Sequence, residues 1–199
     1  MAVLRTQTDR PRGAARRTAL IEATLQILAE VGADAVTHRR VAEVAGLPLA
    51  STTYWFDSKE DLLTAALHHA AEQDITRLEA FAASAQHTED PIGTAVGAVV
   101  GPADVRSPAG RSSLLASYTL LLEAARRPAL RDLSLRWTNA YLDALEPMLE
   151  LAGSGSPRAD AELLLAAADG LLMDQLALGG ASDPTSRLRR MVAALVRPA

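Results

Sequence analysis

With 199 residues against roughly 150 per domain, the chain has room for one or two domains and is too short for a large multidomain assembly. Hydrophobic residues at 49% and charged residues at 22% exclude a disordered chain, and the absence of cysteine excludes disulfides, thiolate metal sites and cysteine nucleophiles. The net charge of −4 hides a gradient: residues 1–59 hold eight Arg/Lys against six Asp/Glu, and residues 60–199 hold twelve against eighteen. An anion-binding head on an acidic body fits that gradient, and so does a solvated basic tail. Apolar runs such as Leu163 to Ala168 span about six residues, far short of the roughly 18 that cross a bilayer. Arg5, Arg10, Arg12, Arg16 and Arg17 have no apolar core behind them, so no signal peptide, no membrane partner and a cytoplasmic location are expected.

In chain order, the first apolar stripe is Leu20, Ala23, Ile27 and Val31, one face of a helix over Thr18–Val31 that Gly32 ends. Thr37 is placed as an N-cap, with Val36 and Val41 set to meet across it, and predicts a short helix over His38–Ala45. Gly46 breaks that helix. Pro48 suits the first position of another, because its missing N–H would have had no partner there, and this helix runs to Trp55. Ser58 with Asp61 has the layout of a capping box, opening a long helix to about Phe81 along Leu62, Leu63, Ala66, Leu67 and Ala70.

Breakers at Pro91, Gly101 to Pro108, Pro128, Gly153 to Pro157 and Gly179 to Pro184 divide the remainder into five helical segments, and no run alternates as a strand does. The stripe Leu130, Leu133, Trp137, Tyr141, Ala144, Met148 and Leu151 keeps helical spacing, with Pro147 placed to kink it. Over 162–178 only Glu162, Asp169 and Asp174 are charged, so apolar side chains point almost all round and a partner subunit is a natural cover for one side. The fold expected is all-α, split into 1–60 and 61–199.

Two short helices about a glycine turn, the second entered through proline, have the form of a helix-turn-helix. Arg39 and Arg40 stand in the first turn of a helix, where the macrodipole disfavours cations by about 0.3 to 1 kcal/mol each. A phosphate nearby would offset that, and so would plain solvation. Tyr54, Trp55 and Phe56 are three of seven aromatics in the chain, placed consecutively, so at least one must project outward, toward a nucleic acid or by accident of the surface.

The run Ala45-Gly46-Leu47-Pro48-Leu49-Ala50-Ser51-Thr52-Thr53-Tyr54-Trp55-Phe56, followed by Ser58-Lys59-Glu60-Asp61-Leu62-Leu63 and preceded by Thr37-His38-Arg39-Arg40-Val41-Ala42, resembles the TetR family of transcriptional regulators. The likeness covers residues 15–65. The family commonly has Gly or a small residue at the position of Ala50, often Tyr at that of Thr53 and His or Tyr at that of Trp55, and the departures bear on the bases read. The resemblance implies an all-α homodimer with an N-terminal three-helix helix-turn-helix domain and a C-terminal helical domain for a small-molecule ligand and dimerisation. Carried over by position, His38, Arg39, Leu49, Ala50, Ser51, Thr53, Tyr54 and Trp55 face double-stranded DNA, Lys59 meets a phosphate, and Val41, Val44, Leu47 and Phe56 are core. Arg10, Arg12, Arg16 and Arg17 are placed to follow the backbone or minor groove, as basic arms do. A palindromic operator, repression and release by ligand are the function this implies.

For the ligand, Tyr118, Trp137, Tyr141, Met148 and Met173 are the large or adaptable side chains available, with Asn139, Asp174 and Gln175 as polar handles. For each aromatic, ordinary core packing is the favoured role. Asp169-Gly170 fits a close helix approach at a dimer axis. None of the four histidines, His38, His68, His69 and His87, falls in a nucleophile, phosphate-loop or zinc motif. His68 and Glu72 stand at i and i+4, a spacing shared by metal sites and solvated helix faces. No reaction and no cofactor are assigned. The rival reading is a helical ligand-binding or protein-interaction module without DNA binding.

Overall fold

The computed structural model describes residues 9–85, 87–101, 105–178 and 183–196, with side chains from Gly13 onward. The side chains of Arg10 and Arg12, which the sequence reading sets along DNA, lie outside the described residues, as does Arg5. Among those described there are nine α-helices and no strand: α1 Asp9–Val31, α2 His38–Ala45, α3 Leu49–Trp55, α4 Lys59–Ser84, α5 Pro91–Val100, α6 Pro108–Arg126, α7 Arg131–Leu151, α8 Pro157–Leu178 and α9 Pro184–Leu195. The chain divides into two compact units, residues 1–70 and 71–199, so the long α4 carries the division.

In the first unit, α1 begins at Asp9 and not at Thr18. Pro11 falls in its first turn, where a missing N–H costs nothing. Leu20, Ile27, Val36, Val41, Phe56, Leu62 and Leu67 are buried, and the Thr24 hydroxyl, buried with them, donates to the Leu20 carbonyl at 2.8 Å. The Thr37 hydroxyl accepts the Arg40 N–H at 3.2 Å and starts α2. Gly46 ends it at φ +64°, a left-handed conformation that a side chain resists. Pro48 stands just outside α3, at ψ 144°, and not as its first helical residue. Ser58 and Asp61 form a reciprocal box: the Asp61 N–H donates to Ser58 Oγ and the Ser58 N–H to Asp61 Oδ2, each at 3.1 Å.

Val44 is a correction, because it is exposed and not core. The buried face of α2 is set by Val41 and Ala42, with Ala45 half-buried beside them, and at about 100° per residue Val44 falls roughly 110° from the middle of that face.

The second unit holds the five helices that the breakers mark off, preceded by the C-terminal half of α4. Three of them open alike, with an Asp or Ser cap before a proline. Gly93 N–H donates to Asp90 Oδ1 at 2.9 Å, Gly110 N–H to Ser107 Oγ at 3.0 Å, and Thr185 N–H to Asp183 Oδ1 at 3.0 Å. Its core joins Val96 and Val99 of α5, Leu145 and Met148 of α7, Leu164 and Leu172 of α8, and Leu188 and Val192 of α9. Along the α7 stripe, Leu130, Leu133, Trp137, Ala144 and Met148 are buried and Tyr141 is half-buried. Leu151 departs from it: as the last helical residue it lies beyond the neighbouring core and is exposed. In α8, Ala161, Leu164, Ala168 and Leu172 are buried within this chain, while Leu163, Ala166, Gly170, Met173 and Ala177 form an open row at helical spacing.

Candidate functional site

Two surfaces carry chemistry, one in each unit. In the first, α3 is anchored by Thr52 and Phe56, four residues apart and buried, with the Thr52 hydroxyl donating to the Leu49 carbonyl at 2.8 Å. That anchoring turns Leu49, Ala50, Thr53 and Tyr54 outward; Tyr54 is 57% exposed. Ser51 is half-buried on the flank. Trp55 meets Tyr54 edge to face, with centroids 5.0 Å apart, and its ring also lies beside Gly13 of α1, so the indole belongs partly to the packing of this unit.

On α2, Arg39 is exposed and pairs with Glu43 at 3.0 Å, which supplies negative charge one turn along. His38 is half-buried, with Nδ1 enclosed and without a hydrogen-bond partner among the described residues. Arg17 of α1 lies 5.5 Å from the centre of the Phe56 ring, a cation–π contact under α3. Lys59 Nζ donates to the Asp34 carbonyl at 3.4 Å, using one of its three N–H groups. Leu49, Ala50, Thr53 and Tyr54 therefore share one exposed face, with Arg39 exposed on α2, while His38, Ser51 and Lys59 are partly enclosed.

In the second unit, α5, α6, α7 and α8 line a cavity of about 110 Å³. Its aromatic wall is Tyr118, Trp137 and Tyr141. Leu114, Leu121 and Leu172 are among the aliphatic liners, and Asp169 contributes the only charged side chain among the residues lining it. The wall is fixed from behind. Asp74 Oδ2 on α4 accepts Trp137 Nε1–H at 2.8 Å and the Tyr141 hydroxyl at 2.7 Å, and its Oδ1 accepts Arg77 Nε–H at 2.7 Å. Arg77 also donates to the Tyr141 oxygen at 3.2 Å. Burial, then the Asp74 charge, pushes the Tyr141 hydroxyl far above the usual phenol range. Tyr118 donates to the Asp169 main-chain carbonyl at 2.9 Å, and its own hydroxyl is pushed up by burial and then by the nearby Asp169 carboxylate.

Of the side chains proposed from sequence for a ligand, Tyr118, Trp137 and Tyr141 line this cavity. Met173 and Asp174 do not: both are exposed, Met173 at the edge of the cavity-lining face of α8 and Asp174 on the opposite side of the helix. Met148 is core, and Asn139 Oδ1 accepts a hydrogen bond from Arg158. Asp74 and Asp169 were not picked out as site residues by sequence. Glu72, set beside His68 by its spacing, pairs instead with Arg136 at 2.8 Å.

The comparisons agree with this layout. The profile of bacterial regulatory proteins of the tetR family matches residues 20–66, and that of the tetracyclin repressor-like C-terminal domain matches residues 86–198. No curated protein matches the chain. Among solved structures, the multidrug binding protein EbrR complexed with imidazole is 29% identical with a TM-score of 0.68, covering 92% of this chain and 97% of that one. A TetR family member, SCO1917 from Streptomyces coelicolor A3, is 28% identical at TM-score 0.68, covering 92% and 99%. A regulator from Streptomyces coelicolor A3(2), SCO7518, is 25% identical at TM-score 0.68 over the same shares. No helix among the described residues is long and apolar enough to cross a membrane. With an outward-facing helix in a matched N-terminal domain and a matched C-terminal domain covering more than half its length, the chain belongs to the TetR family of bacterial transcriptional regulators, which are DNA-binding, ligand-responsive and not enzymes.

Proposed function

We propose that this protein is a repressor that binds a palindromic operator as a homodimer and leaves it when a small molecule enters the cavity of the second unit. The observation that carries the reading is the outward face of α3, where Leu49, Ala50, Thr53 and Tyr54 stand exposed on a helix held from beneath by Thr52 and Phe56. Leu49, Ala50, Ser51, Thr53, Tyr54 and Trp55 enter the major groove, His38 and Arg39 approach from α2, and Lys59 meets a phosphate. No side chain of α3 is charged or carries a carboxamide, so base recognition there leans on apolar contacts and groove shape as well as hydroxyl hydrogen bonds. The open row on α8 supports a second copy of the chain as its cover, because five small or apolar residues at helical spacing suit close helix packing.

Ligand and DNA are antagonistic by population shift: the ligand favours a dimer whose α3 helices no longer match half-sites about 34 Å apart. By linkage, DNA weakens the ligand by the same factor. The route runs through α4, which is continuous from Lys59 to Ser84 and carries Asp74, the acceptor for two side chains of the cavity wall. Selection of bound sequences from random duplex DNA tests the proposal. The expected result is an inverted repeat with half-sites one helical turn apart. A single unrepeated half-site would overturn the homodimer, and no enrichment, with no steep salt dependence on duplex DNA, would leave the non-DNA-binding module in its place.

A further inference from the structure

The cavity of the second unit contains a chemical asymmetry. Its aromatic donors are already committed: Trp137 Nε1–H and the Tyr141 hydroxyl go to Asp74, and the Tyr118 hydroxyl goes to the main-chain carbonyl of Asp169. The Ser117 hydroxyl is likewise turned to the Ser113 carbonyl at 3.0 Å. The Asp169 carboxylate takes no hydrogen bond or ion pair from any described residue, and no Lys, Arg or His lines the cavity. Burial alone pushes its carboxyl above the usual carboxylate range, with no opposing contribution from a donor or cation. A partly buried carboxylate without a partner is costly, and no described residue relieves it.

We propose that this cavity selects a small aromatic cation, whose ring stacks among Tyr118, Trp137 and Tyr141 and whose positive group pairs with the Asp169 carboxylate. The inference rests on reading the cavity as the ligand site and adds the charge and size of what enters. A volume of about 110 Å³ is below the roughly 150 Å³ of an apolar cavity that accepts benzene, which limits the enclosed part of the occupant to a single ring, with its charged substituent at the half-buried Asp169. Aromatic rings attract a cation by their quadrupoles, and Tyr141 already shows this with the Arg77 guanidinium 5.9 Å from its centre. A neutral ligand of the same shape can hydrogen-bond to Asp169 but leaves its charge uncompensated, and an anion meets a like charge in a partly dry site, so both are selected against.

Benzylammonium, benzyl alcohol and benzoate share a ring and differ in charge, and calorimetric titration of each into the full chain tests the proposal. Benzylammonium is expected to bind about ten- to a hundredfold tighter than benzyl alcohol, the range of one hydrogen bond to a charged group, and benzoate more weakly than either. In Asp169→Asn the preference for benzylammonium over benzyl alcohol should collapse to within about twofold, with benzyl alcohol binding retained. That variant is expected to fold and to melt at a higher temperature without ligand at pH 7, because a neutral amide replaces a desolvated charge. Equal binding of benzylammonium and benzyl alcohol by the native chain would overturn the charge selection while leaving the cavity as a ligand site. Survival of the preference in Asp169→Asn would overturn the role of Asp169. Failure of all three probes to bind at millimolar concentration would overturn this proposal and the cavity's assignment together.

Discussion

Each unit has a pair of aromatic side chains meeting edge to face, and the two pairs have opposite fates. Tyr54 and Trp55 are consecutive, with centroids 5.0 Å apart and planes at 88°; Trp137 and Tyr141 are four apart, at 5.7 Å and 79°. Neighbours on a helix point about 100° apart, so when Thr52 and Phe56 take the inward side of α3, Tyr54 is left in the open and Trp55 half in it. Residues at i and i+4 share a face, so both rings of the second pair turn inward and put their polar atoms on one carboxylate, Asp74. Spacing, more than side-chain type, decides whether an aromatic is presented or enclosed. The comparison breaks most sharply at the tryptophans. Trp137→Ala should cost about 3 to 5 kcal/mol in urea unfolding, the range for a buried Trp truncated in a core. Trp55→Ala, at a residue 36% exposed, should cost about 1 kcal/mol and weaken operator binding instead. Equal losses of stability would remove the distinction.

A smaller effect isolates the polar atom from the ring. Tyr141→Phe keeps the aromatic wall and removes the hydroxyl that donates to Asp74 at 2.7 Å. Because the acceptor is charged, the expected loss is about 1.5 to 3 kcal/mol in melting or denaturant experiments. If Asp74 also connects the cavity to α4, the same variant should bind ligand and operator separately but show a reduced antagonism between them, measured as the ligand concentration that halves operator binding. Unchanged antagonism would confine Asp74 and Tyr141 to a structural role.

What was legible in the sequence follows the range of the interactions involved. Thr37, Gly46 and the Ser58–Asp61 box act within four residues, and the helix limits they set for α2 and the start of α4 are those in the structure. On α3 spacing alone required only that one of Tyr54, Trp55 and Phe56 project; the family likeness named the outward set, of which Leu49, Ala50, Thr53 and Tyr54 are open and Ser51 is half-buried. Asp74 was not: its partners Trp137 and Tyr141 are 63 and 67 residues away, and an acid on a long polar helix reads as solvated. Asp169 failed for another reason. A helix apolar nearly all round has no phase from which to tell its inner side, and Asp169 and Asp174, five residues apart, point roughly 140° from one another. Sequence favoured Asp174 for the ligand, and the cavity is lined by Asp169. The start of α1 was missed because Arg10, Arg12, Gly13, Arg16 and Arg17 carry no apolar stripe.

Lys59 sharpens the head's side of the comparison, because a charged group there is shared between the protein and its proposed partner. Its Nζ bond to the Asp34 carbonyl at 3.4 Å is long and exposed, so Lys59→Ala should change stability by no more than about 0.5 kcal/mol. On DNA the same change should weaken all sequences alike and flatten the log-log salt slope by about one unit. An unchanged slope would make Lys59 a clasp on the turn after α1 and nothing more.

The smallest expected effect concerns how Trp55 is held. A Cβ at Gly13 would sit 3.5 Å from the Trp55 ring, an ordinary van der Waals separation that requires nothing to move. Gly13 lies within α1, where glycine costs up to about 1 kcal/mol relative to alanine through backbone entropy. Position 13 is only one turn from the helix start, so Gly13→Ala should raise stability by about 0.5 kcal/mol. The added methyl also narrows the space open to the indole, so Trp55 fluorescence anisotropy, measured in a Trp137→Phe background to leave one tryptophan, should rise. A stability gain with unchanged anisotropy would mean that Trp55 is not held against α1 in solution. The ring would then be free to turn toward DNA with its neighbour, and the contrast between an aromatic presented and an aromatic enclosed would extend to both members of the first pair.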